Sequence, residues 1–332
     1  MPEAVESGSE ELVLAFLAEA GDAVVSGEAI SDKLGLTRAA VWKHVEALRQ
    51  QGYRIDAVAS RGYRLVEVPD RLRALELRPL LNTHDVGQVL HCFEVTDSTN
   101  DRAKALADDG AEHGEVVVAE QQTAGRGRRG RSWISAARRN VAFSVILRPQ
   151  ALPPTRASEL TLVAAVAICD ALRQAGVDAG IKWPNDVLVN GRKIAGILTE
   201  LAAEPDQVHW VVVGVGVNVN ARPEDFPPEL AGEATSLLIE RQQPAPRALF
   251  LAACLTALEG WYDQHAEHGF GPIREAWRER SVTLGRQVSV TTDAGLVTGT
   301  AVDIDADGAL LVRTAAGVER ILSGDVALLR PR

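Results

Sequence analysis

The chain has 332 residues, enough for two or three domains. Its 46% hydrophobic and 24% charged content is that of a soluble globular protein, and a net charge of −10 excludes a basic nucleic-acid coat protein, so any DNA contact must come from a local patch. Cys92, Cys169 and Cys254 are odd in number and far apart, with no CxxC and no neighbouring histidine cluster, which excludes a zinc framework and a disulfide scaffold and fits a reducing cytoplasm. No metal centre of the protein's own is expected. The start of the chain lacks the charged and apolar regions of a signal peptide, and apolar runs such as 160–168 and 211–217 are too short to span a bilayer. No membrane association is expected.

Residues 10–68 read as a small helical unit with a β-hairpin. A helix over 11–19 precedes a second over 26–34, with Ser26 as N-cap and Gly35 as its stop. Thr37 caps a third over 38–51, where Val41, Val45 and Leu48 recur at i, i+4, i+7 and form a buried stripe. Two short strands, 53–58 and 62–66, follow across a turn at Ser60-Arg61-Gly62. Helix, short turn with glycine and polar-faced helix make a helix-turn-helix, and the hairpin makes it winged. Arg38, Lys43, His44 and Arg49 fall largely outside the apolar stripe, and Arg61 sits on the wing turn, so these five are candidates for DNA contact. The third helix carries three Lys/Arg against the single acid Glu46. Trp42 on the same helix is harder to reconcile with a polar groove.

Val68-Pro69-Asp70 opens a linker, and 75–81 is a short apolar segment expected to pack on the next domain. The central region then alternates strands and helices. Strands are expected at 89–95, 116–120 and 141–147, a helix at 100–108 and a long buried helix at 157–175. Asn190-Gly191 is a type I′ hairpin signal between 181–189 and 192–198, and 208–217 is a central strand. This predicts an α+β domain, a mixed sheet made largely of hairpins with helices against one face. From about residue 281 the helices stop, and four short strands at regular spacing predict a small all-β barrel.

The stretch around which the chain is organised is Gly125-Arg126-Gly127-Arg128-Arg129-Gly130-Arg131-Ser132-Trp133. Four guanidinium groups cannot be buried without partners, and three glycines are costly to order. Arginine forks match carboxylate and phosphate oxygens, and glycine lets backbone N–H groups approach them. The chemistry is that of a mobile loop closing on a polyanionic ligand. Gly125, Gly127 and Gly130 also spell the dinucleotide fingerprint G-x-G-x-x-G, but residues 132–140 are no helix and no acid appears before Glu159.

These pieces in this order resemble the biotin–protein ligases, specifically the bifunctional subclass that also represses a biotin operon. The likeness covers essentially the whole chain and rests on five separated motifs: Asp97-Ser98-Thr99-Asn100, Gln122 with the arginine loop, residues 182–186, residues 193–198 and residues 214–218. It implies a multidomain α+β protein: a winged helix-turn-helix (1–68), a linker (69–85), a mixed-sheet ligase core (86–278) and an SH3-like β-barrel (279–332). The implied reaction joins biotin to ATP as biotinyl-5′-AMP and passes biotin to a lysine of the biotin carboxyl carrier protein, a subunit of acetyl-CoA carboxylase. Mg2+ is the implied metal cofactor, biotin operator DNA the implied second partner, and a ligand-dependent homodimer the implied assembly. Residue by residue, the resemblance gives Lys193, Arg128 and Asp186 to catalysis. Lys193 reaches the biotin carboxylate and then the adenylate phosphate, and Asp186 orients the carrier lysine. It gives Ser98, Thr99, Asn100, Gln122, Gly125, Arg126, Gly127 and Gly196 to biotin, with Arg128 and Lys193. Trp133, Lys182, Asn185 and Asn218 go to the adenylate, and residues 221–238 form the loop over adenine.

The Ser98 triplet can serve as a helix cap, Lys193 as a hairpin surface lysine, and Lys182 as a partner of Asp186. Thr123 departs from the family pattern, where a second amide is common. Three alternatives stay open: a ligase whose N-terminal domain does not bind DNA, a biotin sensor without turnover, and a lipoate or octanoyl transferase of related fold. The arginine loop speaks against the last.

Overall fold

The structure, a computed structural model, describes residues 9–150 and 152–329. The chain divides into two compact units, Met1–Arg71 and Leu72–Arg332.

The first unit holds α1 (Ser9–Glu19), α2 (Gly27–Leu34), α3 (Arg38–Gln50) and the antiparallel hairpin β1 (Arg54–Val58) and β2 (Gly62–Glu67). Its boundaries follow from local chemistry. Ser26 Oγ accepts Ala29 N–H at 3.0 Å and Thr37 Oγ1 accepts Ala40 N–H at 3.2 Å, while Gly35 closes α2 in the left-handed region at φ 66°. Val13, Leu14 and Leu17 of α1 are buried, as are Ile30 of α2 and the Val41, Val45, Leu48 stripe of α3. The wing is stitched to the residue before α2, since Val25 and Tyr63 exchange both backbone hydrogen bonds at 2.8 Å. Gly62 makes that approach possible, because a Cβ there would lie 2.0 Å from Val25 O.

The second unit begins with α4 (Ala74–Leu77), β3 (Leu90–Phe93), α5 (Thr99–Asp108), β4 (Val116–Ala119), β5 (Val141–Leu147) and α6 (Glu159–Gln174). It continues through β6 (Gly180–Lys182), β7 (Asp186–Val189), β8 (Arg192–Ala203), β9 (Val208–Val217), α7 (Leu237–Arg241), α8 (Arg247–His268) and α9 (Phe270–Arg280). Its sheet has seven strands in the order β3-β4-β5-β9-β8-β7-β6, antiparallel except for β3 with β4. Asn190 and Gly191, at φ 52° and 78°, make the expected tight turn between β7 and β8.

The helices are not confined to one face of this sheet, contrary to the sequence expectation. Val116, Val118, Val145 and Leu147 pack with α6, α8 and α9, whereas Val117, Ile146, Trp210 and Val212 pack with Ala103 and Ala107 of α5. Strand side chains alternate, and strands β4, β5 and β9 are apolar at both parities, so each face needs a cover. Leu72 and Leu77, inside the segment expected as a linker, are 1% and 0% exposed in the core of the second unit.

The C-terminal part is a five-stranded antiparallel sheet of β10 (Gln287–Thr292), β11 (Gly295–Ile304), β12 (Leu310–Thr314), β13 (Gly317–Ile321) and β14 (Asp325–Leu328), ordered β13-β12-β11-β10-β14. The sequence predicts four strands here; the fifth, β14, is only four residues long. Among the described residues β13 and β14 are the outer strands and do not close on each other, so the hydrogen bonding is that of an open sheet. Arg278 Nε donates to Asp303 at 2.7 Å and Trp183 Nε1 to Gly308 O at 3.0 Å, joining this sheet to α9 and the β6–β7 turn. No helix among the described residues is long and apolar enough to cross a membrane.

Candidate functional site

The start of α5 lies against the sheet as a buried polar cluster. Ser98, Thr99 and Asn100 are 2%, 4% and 3% exposed. Thr99 N–H donates to Gln122 Oε1 at 2.8 Å, and Thr99 Oγ1 lies 3.1 Å from the same oxygen. Ser144 Oγ donates to Asn100 Oδ1 at 2.6 Å and sits 2.8 Å from Thr99 Oγ1. Asn100 Nδ2 donates to Leu198 O at 3.1 Å and to Glu200 at 2.8 Å. Ser98 is the N-cap residue of α5 but makes no capping hydrogen bond; Gln122 takes the first unpaired N–H of the helix instead. Burial pushes the Glu200 pKa up, but hydrogen bonds from Lys104 and Asn100 and the nearby Arg126 outweigh it and hold the carboxyl below its usual range.

One step along β9 the strand is side-chain-free at Gly214 and Gly216, and other side chains pack directly on its backbone. A Cβ at Gly214 would fall 1.8 Å from Asn100 Oδ1, and one at Gly216 would fall 2.4 Å from Trp133 Cε2. Gly196, paired with Gly216 on β8, would meet Trp133 Cζ3 and Lys193 Cε at 3.1 Å. Residues two apart on a strand share a face at about 7 Å. Asn100 on Gly214 and Trp133 on Gly216 are therefore neighbours over one glycine floor, and the Trp133 Nε1 buried there has no hydrogen-bond partner among the described residues. Lys193 Nζ stands 5.6 Å from the Trp133 ring centroid and pairs with Asp186 at 2.5 Å, while Lys182 approaches the other Asp186 oxygen at 3.7 Å. Backbone bonds from Lys193 N–H to Glu233 O (2.7 Å) and from Thr235 N–H to Lys193 O (2.9 Å) bring residues 233–235 alongside.

The arginine loop closes this area. Arg126 pairs with Asp101 at 2.5 Å and Glu200 at 3.1 Å. Arg128 Nη1 reaches Asn185 Oδ1 at 3.4 Å, and burial lowers the Arg128 pKa from its usual value against the pull of Asp325. A Cβ at Gly125 would lie 2.6 Å from Trp133 O, so that glycine is required by the loop's own fold, and Gly127 N–H bonds Arg131 O at 2.7 Å. After the loop the chain enters β5, not a helix, so the dinucleotide fingerprint has no structural support.

Lys193, Arg128, Asp186, Asn185, Lys182, Trp133 and Gly196 thus meet at one end of the sheet, and Thr99, Asn100, Gln122 and Arg126 beside them. Asn218 is committed: Nδ2 donates to Thr235 O at 3.0 Å and Oδ1 accepts from Asn140 at 3.1 Å, so its amide fixes the segment next to Lys193. Gly214 and Gly216 lie in the 214–218 motif of the sequence, but without a role; Ser144 and Glu200 carry no sequence expectation. The signal for them is faint but physical: a serine and alternate glycines inside otherwise apolar strands mark one face where something must approach.

In the first unit, Lys43 and Arg61 are exposed, and Trp42 is 57% exposed. Arg38 pairs with Glu28 at 2.8 Å, and His44 lies 3.8 Å from Glu10. Arg49 departs from the expected outward position: its Nε donates to Ile55 O at 2.9 Å and its Nη1 pairs with Glu46, so it ties α3 to β1.

A glycine floor under a lysine and an arginine loop, on a mixed sheet, suits activation of a carboxylate by a nucleotide; the preceding winged unit adds a second, nucleic-acid function to that class. The comparisons agree. The Biotin/lipoate A/B protein ligase family matches residues 92–218, the Biotin protein ligase C terminal domain residues 283–329, and an HTH domain residues 10–64. The bifunctional ligase/repressor BirA of Bacillus subtilis is 42% identical over 95% of this chain and 97% of its own, and that of Escherichia coli 30% over 91% and 92%. The biotin protein ligase of Aquifex aeolicus, solved with biotin and ATP, superposes with a TM-score of 0.64 at 30% identity over 74% of this chain and all of its own. The chain belongs to the biotin–protein ligase family, in its bifunctional ligase/repressor branch.

Proposed function

We propose that the glycine-floored site forms biotinyl-5′-AMP in place and then delivers biotin to a carrier lysine. The observation that carries this reading is the meeting of Lys193 and Arg128 beside Trp133 and Asn100, which Gly196, Gly214 and Gly216 let pack directly on the sheet. The bicyclic ring of biotin would lie beside Asn100 and Trp133, which cover the glycine floor, its ureido group among Ser98, Thr99, Asn100 and Gln122, with Gly125, Arg126 and Gly127 over it. A carboxylate oxygen attacks the α-phosphorus and pyrophosphate leaves. Two anions must approach, and Lys193, Arg128 and Lys182 supply the opposing charge. Trp133, Asn185 and Asn218 border the adenylate. The carrier lysine then attacks the acyl carbon and AMP leaves, with Asp186 placed to orient the amine. Mg2+ would be carried on the ATP phosphates and neutralise part of their charge. The test is pyrophosphate release from ATP: it is expected with biotin and not with lipoate or octanoate, and equal release with all three would sink the biotin assignment.

The first unit is proposed as the operator reader, through Arg38, Lys43, His44 and Arg61 at the groove. Functional domains at 1–68, 86–278 and 279–332, a linker at 69–85, an SH3-like C-terminal domain and cytoplasmic action are part of the same proposal. One winged helix reads few base pairs, so a two-fold dimer on two half-sites is needed. Adenylate is expected to raise the dimer fraction, dimers to bind operator DNA more tightly, and DNA to tighten adenylate binding by the same factor. Sedimentation and DNA titration with and without biotin plus ATP measure this, beside a chain shortened to begin at Pro69, which is expected to lose DNA binding. No change in either quantity for the full chain would remove the switch.

A further inference from the structure

The arginine loop spends only part of its charge on the site. Arg129 and Arg131 point the other way, onto the C-terminal sheet. Arg129 Nη1 donates to Thr291 O at 3.2 Å and Nη2 to Asp293 at 2.9 Å, and its Nη1 is 3.8 Å from Asp325. Arg131 pairs with Asp325. Arg128, whose Nη1 faces Asn185, also donates from Nη1 to Gly324 O at 3.2 Å and from Nη2 to Ser323 Oγ at 3.0 Å. Gly324 is held close to β10, where a Cβ would meet Val290 Cγ1 at 2.6 Å.

The loop backbone carries the cost of this arrangement. Arg129 sits in the left-handed region, at φ 54° and ψ 40°, where a residue with a Cβ is uncommon. Such a conformation persists only when its surroundings over-determine it. Here they are the carbonyl of Thr291 and the carboxylates of Asp293 and Asp325, all from the C-terminal sheet.

We propose that this sheet is the latch of the arginine loop, with Asp293, Ser323 and Asp325 as positioning residues that set how long the adenylate stays bound. The proposal rests on the ligase reading above. Asp293 is 94% exposed and Arg131 64%, so each pair is weak by itself and screened by salt. A latch of several weak contacts holds the loop closed in concert and still yields when substrate enters or product leaves.

The test uses the full chain carrying Arg131→Asp, Asp325→Arg or both, with Asp325→Asn as a milder variant should charge reversal disturb folding. The readouts are the half-life of enzyme-bound biotinyl-adenylate in a chase, kcat and KM for ATP, and the melting temperature. Arg131→Asp, which breaks one partly exposed pair, is expected to shorten the half-life a few-fold, and Asp325→Arg, which breaks two, roughly ten-fold. The melting temperature should hardly move, and the double variant should recover part of the lost half-life. Raising salt should shorten the wild-type half-life and leave the single variants nearly flat. A wild-type half-life in Asp325→Asn, or a double variant no better than its worse parent, overturns the latch. If the wild-type chain itself makes no adenylate from biotin and ATP, the ligase reading has failed and the latch falls with it.

Discussion

Lys193→Ala is expected to slow adenylate formation about 100- to 1000-fold while the fold stays intact. Removing one preorganised charge-stabilising donor costs about 3–4 kcal/mol of barrier. The structural consequences should be small, because the residue's backbone is fixed on both sides without its side chain: N–H to Glu233 O and C=O to Thr235 N–H. The ammonium is 36% exposed and pairs with Asp186, so as an ion pair alone it would contribute at most about 1 kcal/mol. The two roles therefore separate by size. A burst measurement of pyrophosphate release in the presence of biotin reads the difference. A rate within a few-fold of wild type would reduce Lys193 to a surface partner of Asp186. Asp186→Asn provides a control: it frees Lys193, and its larger effect should fall on transfer to the carrier.

The site was legible in the sequence wherever a residue type is improbable for packing. Four arginines among three glycines have no use in a core, and Asn190-Gly191 can hardly be anything but a hairpin. That hairpin by itself makes Lys193 a surface lysine, and only the family resemblance marks it as a site residue. The caps Ser26 and Thr37 were legible because capping is local. What was hidden depends on partners distant in sequence. Glu200 reads as one more polar residue at the end of a strand until it meets Asn100, Lys104 and Arg126. Ser144 is a lone serine in an apolar strand until α5 is placed on that face. The position of α5 opposite the other helices could not be read, since an apolar strand run says that both faces are covered but not by what. Arg49 looked like its basic neighbours, and only the placement of β1 shows its guanidinium turned inward. The closure of the C-terminal strands was beyond reach for a similar reason: regular spacing predicts hairpins, and closure depends on pairing between the ends.

The second large effect concerns stability and lies beneath the loop. Glu120, 3% exposed, follows β4 and leads directly into Gln121 and Gln122. Its Oε2 is 2.6 Å from Arg247 Nη1 of α8, and its Oε1 accepts Leu72 N–H at 2.8 Å. Arg247 is 0% exposed and also reaches Asn140 O at 3.4 Å. Asn140 in turn bonds Asn218 and Val219, so this buried pair joins the first residue of the second unit, the strand before the arginine loop and the segment bordering Lys193. Glu120→Ala takes a carboxylate away from the buried Arg247 and from Leu72 N–H, and breaking a buried pair from one side costs about 3–5 kcal/mol. Denaturant unfolding followed by tryptophan fluorescence is expected to show that loss, with a melting temperature lower by about 10 °C. Glu120→Leu with Arg247→Met removes both charges and fills the space, so it should recover most of the stability, because desolvating two ions offsets much of their attraction. The double variant should still form adenylate less well, since Leu72 N–H and the Asn140 carbonyl lose their partners and the loop's root is no longer fixed. If Glu120→Ala costs under about 1 kcal/mol, the pair contributes no more than a surface one. If the double variant is as unstable as Glu120→Ala, the loss comes from the hydrogen bonds to Leu72 and Asn140 and not from the broken ion pair.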